Sequence, residues 1–312
     1  MSTVAVVVTY NRAELLAACL DGLAAQTRPL EAIVVIDNAS TDGSGDVARA
    51  HPIGADVHTL QTNLGGAGGF SAGLAWALEH HDPDWIWLMD DDTIPRPGAH
   101  GALIDAADAH PRDLAVLSST AVWTDGRIHP MNRSRVRMGS NAVERGDAAA
   151  VDSHPIRTAS FVAILLSADH CRRAGLPYAD YFIWGDDTEY SGRLLRQGRG
   201  IQVHDSIVEH RTVAFASWQT DPGPRFYYDV RNKLWVYLAS GSFRWWERLV
   251  YLGSAAAGWA GTIRRSGDRR TLLGHAWRGL RHGLLRRPAP TTRVLAGQGE
   301  VSSAVARVEA GR

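Results

Sequence analysis

Apolar, often β-branched residues recur in short unbroken runs through the first ninety positions, and a polar cluster follows most of them. Residues 4–9 and 32–36 read as buried parallel strands, 57–60 as a short third and 85–89 as a fourth. Between them, 13–25 and 70–79 carry helical spacing, with Asn11 placed to cap the first helix. Strands that alternate with helices predict βαβ units and a parallel sheet. Further on, 114–118, 121–124 and 160–166 are strand-like, 188–197 is helical and 200–208 is strand-like again. The stretch 130–150 is polar and irregular and reads as a mobile loop. From about Pro224 the chain turns helical and rich in tryptophan and arginine, and its last twenty residues look frayed.

The polar clusters locate a site. Thr9-Tyr10-Asn11-Arg12, Asp37-Asn38-Ala39-Ser40 and Asp90-Asp91-Asp92 each end a strand, and open α/β sheets bind ligands at the carboxyl ends of their strands. Composition narrows the classes of function. The 312 residues hold 33 basic and 33 acidic side chains, so no overall field steers the molecule toward nucleic acid. Charge is uneven, however: eight arginines and a single acid, Asp268, lie between Arg264 and Arg287. Cys19 and Cys171 have neither disulfide-framework nor metal-ligand spacing, which suits a reducing cytoplasm. The first residues lack the basic and apolar regions of a signal peptide, and the uncharged stretch 249–263 is too short and glycine-rich for a span.

Three adjacent carboxylates repel one another and call for a compensating cation. Oxygen ligands at a strand end suit Mg²⁺ or Mn²⁺, which bridge to phosphate; a solvated acidic turn before Pro95 is the alternative. The run Asn63-Leu-Gly65-Gly66-Ala67-Gly68-Gly69-Phe70 opens a helix, where glycines allow close backbone approach and the helix terminus favours anions; a plain structural turn would look the same. Trp184-Gly-Asp186-Asp187-Thr-Glu189 precedes a helical stretch. Its acids are either caps or a general base, with Asp187 the first choice and Asp186 the second. His210 is a candidate metal ligand, with His204 its competitor and a structural histidine the alternative.

In order and spacing these motifs resemble family 2 glycosyltransferases of GT-A fold over roughly residues 3–235. The resemblance implies a Rossmann-like mixed α/β sheet flanked by helices, with a catalytic domain over 1–222 and a helical extension over 223–312. The nucleotide-binding half of that domain would end at about 110, with an acceptor half over 111–222. It also implies an inverting, metal-dependent displacement. Thr9, Tyr10, Asn11, Arg12, Asp37 and Asn38 would hold the nucleotide, and Asn63 with the glycines would line the donor pocket. Asp90, Asp92 and His210 would bind the metal, with Asp91 beside the diphosphate, and Asp187 would be the base. Trp184 and Glu189 would lie on the acceptor side.

The glycine-rich loop looks like that of actinobacterial cell-wall galactofuranosyltransferases, and the length like the smaller, priming type. That implies UDP-galactofuranose as donor and a polyprenyl-diphosphate-linked rhamnosyl-GlcNAc acceptor. Arg231 and Asn232 could meet the acceptor's diphosphate. Phe243, Trp246, Leu249 and Val250 recur at helical spacing among arginines, which suits peripheral attachment to the inner face of the plasma membrane; a helix docked on the catalytic domain or in a homo-oligomer interface is the alternative. A rhamnosyltransferase using dTDP-rhamnose shares fold, metal and base. A nucleotidyltransferase would need a longer basic loop after the first strand. A silent nucleotide-binding scaffold would not need Asp90, Asp92 and Asp187 together.

Overall fold

A computed structural model describes residues 1–132, 134, 136–215 and 221–311. Part of the irregular stretch 130–150 therefore lies outside the described residues. The opening strands are β1 (Thr3–Thr9), β2 (Ala32–Asp37), β3 (Asp56–Thr59) and β4 (Trp85–Asp90). They form the parallel half of a nine-stranded sheet in the order β3-β2-β1-β4. The sheet continues through β8 (Ala163–Ser167), β6 (Leu114–Val122), β9 (Arg199–His210) and β5 (Thr93–Pro95), with β7 (Ser153–Pro155) beside β9. Here the pairing turns mixed, because β8 runs antiparallel to both β4 and β6. The segments read as two strands, 114–118 and 121–124, are one strand, β6.

Alternate side chains of the central strands build two cores. Val4, Val6 and Val8 of β1 face one side with Ile86 and Leu88 of β4; Ala5 and Val7 face the other with Trp87 and Met89. Helices α1 (Ala13–Ala24), α2 (Ser44–Ala50) and α4 (Ala99–Ala109) cover the second face. On the first face lie α3 (Gly65–His80), α6 (Ala168–Ala174) and α7 (Asp186–Leu194).

Helix α3 begins earlier than its apolar pattern suggests and is buried all round, so it lacks a polar face. Its glycines are packing residues: a Cβ on Gly69 would lie 2.4 Å from Val8 and one on Gly73 2.3 Å from Val6. The helix can rest on β1 only if both remain glycine.

Three further sequence expectations fail. Asn11 does not cap α1; it has φ 53° and accepts from the Thr41 N–H, while Asp42 accepts from the Ala13 N–H. The stretch 130–150 contains helix α5 (Ala142–Ala149), capped by the Asn141 side chain. The C-terminal residues are not frayed: α11 (Thr291–Val294) leads to α12 (Glu300–Ala310), which packs on α3 and buries Val301, Ala304 and Val305 in the first core. A helix with only three buried apolar side chains has a weak periodic signal, which is why the pattern hides it.

The remaining helices are α8 (Phe226–Leu234), α9 (Trp245–Arg265) and α10 (Arg269–Leu285). A buried ion pair, Arg157 to Glu247 at 2.8 Å, ties the start of α9 to the segment that follows β7. The apolar stripe read across 243–250 divides: Phe243 is buried beside Tyr237 and Tyr251, whereas Leu249 and Val250 are exposed. No helix among the described residues is long and apolar enough to cross a membrane.

Candidate active site

Strand register assembles the first wall of a cleft of about 560 Å³ at the carboxyl ends of β1, β2 and β4. Val8 pairs with Asp90 and Thr9 with Asp37, so the three polar clusters arrive at one edge. Thr9 Oγ1 donates to Asp91 at 2.8 Å and the Tyr10 N–H donates to it at 3.2 Å. Asn38 is buried and fixes the glycine loop, accepting from the Leu64 N–H at 2.9 Å and donating to the Gly65 carbonyl at 2.7 Å. Gly65 has φ 72°, and a Cβ there would lie 2.0 Å from the Phe182 carbonyl oxygen. No other residue fits that position.

The acidic triplet divides its labour. Arg12 ion-pairs with both Asp91, at 3.2 Å, and Asp92. Asp92 also meets His210 Nε2 at 3.3 Å, because Thr93 of β5 pairs with His210 of β9. His210 Nδ1 in turn lies 2.8 Å from Asn132 Oδ1, which orients the ring. Burial, then the charges of Asp92 and Asp91, push the Asp90 carboxyl well above the ordinary range. Burial also moves Asp91 up to about 6, against the pull of Arg12. Asp92 is held below its usual value: hydrogen bonding and charge from His210 and Arg12 overcome its desolvation.

Among the described residues, no three His, Cys, Asp or Glu side chains converge as a ready-formed metal cluster; Asp92 and His210 meet without Asp90 joining them. The donor set still fits a hard divalent cation. Asp90 and Asp92 offer carboxylate oxygens, and the buried Asp92 Oδ1 already faces the His210 imidazole, with Nε2 at 3.3 Å, so oxygen and nitrogen donors stand side by side.

The second wall is the loop before α7. Phe182, Trp184 and Gly185 all take positive φ, at 63°, 66° and 89°. For two bulky aromatic residues this is a strained conformation that surrounding contacts must impose. They do: the Asn232 amide donates to the carbonyls of Tyr181, Ile183 and Trp184 at 2.9, 2.8 and 2.7 Å, and Arg231 donates to those of Asp180 and Tyr181 at 2.7 and 3.1 Å. The loop delivers Asp186 and Asp187 to the same cleft as Asp90, Asp91 and Asp92. Burial and the neighbouring Asp187 raise Asp186 to about 7. Asp187 is also raised by burial, but the Thr188 N–H donates to it at 2.6 Å and favours its charged form.

Several expected site residues lie elsewhere. Arg231 and Asn232 are buried on loop carbonyls and do not line the cleft. Glu189 is buried against Arg193, at 3.0 Å, and Ser240, at 2.8 Å, so it is structural. Ala67, Gly68 and Gly69 do not line the cleft; Gly65 and Gly66 do. Asp37 sits behind the wall, accepting from the Ser40 N–H at 2.9 Å, and Asn11 braces the same turn. His204 lies away from the cleft, against His154 and Asp152. The cleft gains Asn132, Ser160, Phe182, Arg225 and Tyr228, none of which carries a motif in the sequence.

The sequence profile of Glycosyl transferase family 2 matches residues 4–169. The chain belongs to that family. Galactofuranosyltransferase GlfT1 of Mycobacterium tuberculosis is 35% identical over 257 residues, covering 75% of this chain and 82% of the relative. The GlfT1 of Mycolicibacterium smegmatis is 33% identical over 199 residues, covering 62% of this chain and 65% of its own length. An N-acetylglucosaminyl-diphospho-decaprenol L-rhamnosyltransferase of Mycobacterium tuberculosis is 25% identical over 273 residues, covering 78% and 85%.

Among solved structures, Staphylococcus aureus TarS 1–349 in complex with UDP-GlcNAc superposes with a TM-score of 0.62 at 14% identity, covering 100% of this chain and 89% of that one. GalNAc-T7 with UDP, GalNAc and Mn²⁺ superposes at 0.55 and 15% identity, covering 68% and 43%. The expected GT-A architecture is therefore the observed one.

Proposed function

We propose that this glycosyltransferase moves galactofuranose, with inversion, from UDP-galactofuranose to a polyprenyl-diphosphate-linked rhamnosyl-GlcNAc acceptor, and so starts cell-wall galactan. One observation carries the transfer chemistry: the carboxylates near 90 and near 187 share one cleft. The choice of donor is supported by the 35% identity to GlfT1 against 25% to the rhamnosyltransferase. Within the glycine run Gly65 and Gly66 line the cleft, whereas Gly69 packs on Val8 of β1.

Asp187 takes the proton from the acceptor hydroxyl. The Thr188 N–H donates to it at 2.6 Å, which orients it and favours its charged form, whereas burial and the charge of Asp187 push Asp186 up to about 7. The hydroxyl oxygen attacks the anomeric carbon from the face opposite UDP, and that bond breaks as the new one forms. Asp90, Asp92 and His210 would hold a divalent cation, Mn²⁺ or Mg²⁺, which offsets charge on a leaving diphosphate. Asn38, Gly65 and Gly66 shape the donor side.

The test is a panel of UDP- and dTDP-sugars offered with Mn²⁺ and a synthetic lipid-diphosphate disaccharide, read by product mass. A gain of one or more hexoses from the UDP-galactofuranose arm is expected. A product formed only from dTDP-rhamnose overturns the proposal in favour of rhamnosyl transfer.

Work at the inner face of the plasma membrane is supported by α9 and α10. Trp245 and Leu249 on α9, and Leu273, Trp277 and Leu284 on α10, are exposed beside exposed arginines. Flotation with anionic vesicles should fall sharply in a Trp245→Glu/Trp277→Glu variant; undiminished flotation defeats the membrane role.

A further inference from the structure

Two arginines line the cleft, and their surroundings differ. Arg12 is bound to Asp91 and Asp92. The side chain of Arg225 is exposed in the opposite wall, with no hydrogen bond or ion pair among the described residues. It stands just before α8, three residues from Tyr228, so both side chains leave one helix face. The Tyr228 ring lies 5.3 Å from that of Phe182, tilted by 22°, and Phe182 opens the loop that carries Trp184, Asp186 and Asp187. The cleft's uncommitted guanidinium therefore belongs to the wall of the base, across from the strand ends.

A free guanidinium offers a planar fork of donors that matches phosphate oxygens. The aromatic faces beside it can flank a sugar ring. The 3-10 turn Gly223–Arg225 also packs against α10, whose outer face exposes Leu273 and Trp277. Arg225 thus stands between an apolar helix face and the two aspartates. We propose that Arg225 receives the diphosphate of the acceptor, with Tyr228 and Trp184 flanking the sugars next to it. The proposal rests on the transferase reading. It assigns to Arg225 the contact that the sequence suggested for Arg231.

Donor and acceptor both carry a diphosphate, so the experiment separates them. Wild type, Arg225→Gln and Arg225→Lys are assayed with the lipid-diphosphate disaccharide and with a neutral alkyl glycoside of the same disaccharide, and UDP binding is measured by calorimetry. Arg225→Gln should raise KM for the diphosphate acceptor roughly tenfold, the loss of about one charge-assisted hydrogen bond. KM for the neutral acceptor and the Kd of UDP should not change, and Arg225→Lys should recover part of the loss. Equal rises for both acceptors, weaker UDP binding, or no change each overturn it. If wild type transfers sugar to neither acceptor, the transferase reading fails, and direct binding of geranyl diphosphate then judges Arg225 alone. Weaker binding in Arg225→Gln upholds the anion site, and equal binding overturns it.

Discussion

The two walls of the cleft are built by different means. The strand-end wall is a product of register: neighbouring parallel strands bring Thr9, Asn38 and Asp91 together with only short-range turns to complete it. The wall that carries Asp186 and Asp187 is a strained loop held from outside by Arg231 and Asn232, about fifty residues away along the chain. A register-built wall is fixed once the sheet forms. A clamped wall keeps its shape only while a second element holds it, so the two should respond differently to mutation.

The sharpest test of that contrast is at the base. Asp187→Asn should lower kcat by about 10² to 10⁴, the usual worth of a general base, and leave the Kd of UDP unchanged. Asp186→Asn should cost less. Both carboxyls are raised by burial, and a base must be deprotonated to act. The acid limb of kcat should therefore lie above the ordinary carboxylate range near about 4. A limb at or below that range removes Asp187 from the role.

The clamp comes next. Asn232→Leu leaves three loop carbonyls without their donor, at about 1–3 kcal/mol. Thermal unfolding should show that loss. Turnover should fall by more than tenfold while UDP still binds normally, because the strand-end wall does not depend on Asn232. Parallel losses of UDP affinity and turnover would mean that the walls are one unit.

The smallest effect separates two kinds of glycine in one helix. Gly69→Ala drives a methyl into Val8 and should destabilise by about 1–3 kcal/mol. A Cβ on Gly66 would meet only Phe70, at 3.9 Å, so Gly66→Ala should leave stability nearly unchanged and alter the donor KM instead. The reverse pattern would return the glycine run to the donor pocket.

This contrast also explains what could be read from the chain. Strand ends were legible because apolar runs followed by polar clusters are local signals, and parallel register does the rest. The carboxylates at 90–92 and 186–187 stood out for the same reason. Arg231, Asn232 and Glu189 have the residue types of a site but serve loop carbonyls, Arg193 and Ser240. Only tertiary contacts decide between those uses. Arg225 and Tyr228 give no such signal, because a single arginine ahead of an amphipathic helix carries no pattern. The two aromatic residues with positive φ left no mark, since nothing in the sequence reveals a conformation imposed from elsewhere.

Helix α12 has a consequence for how the molecule is made. Its valines close the core under α3, and Gln298 accepts from the Gln61 N–H across 237 positions. The layer of β1 and α3 therefore cannot finish folding as it leaves the ribosome; one face of α3 stays bare until α12 has emerged. Nascent chains arrested before residue 290 should thus be cut readily by protease within the first ninety residues, and full-length chains should resist.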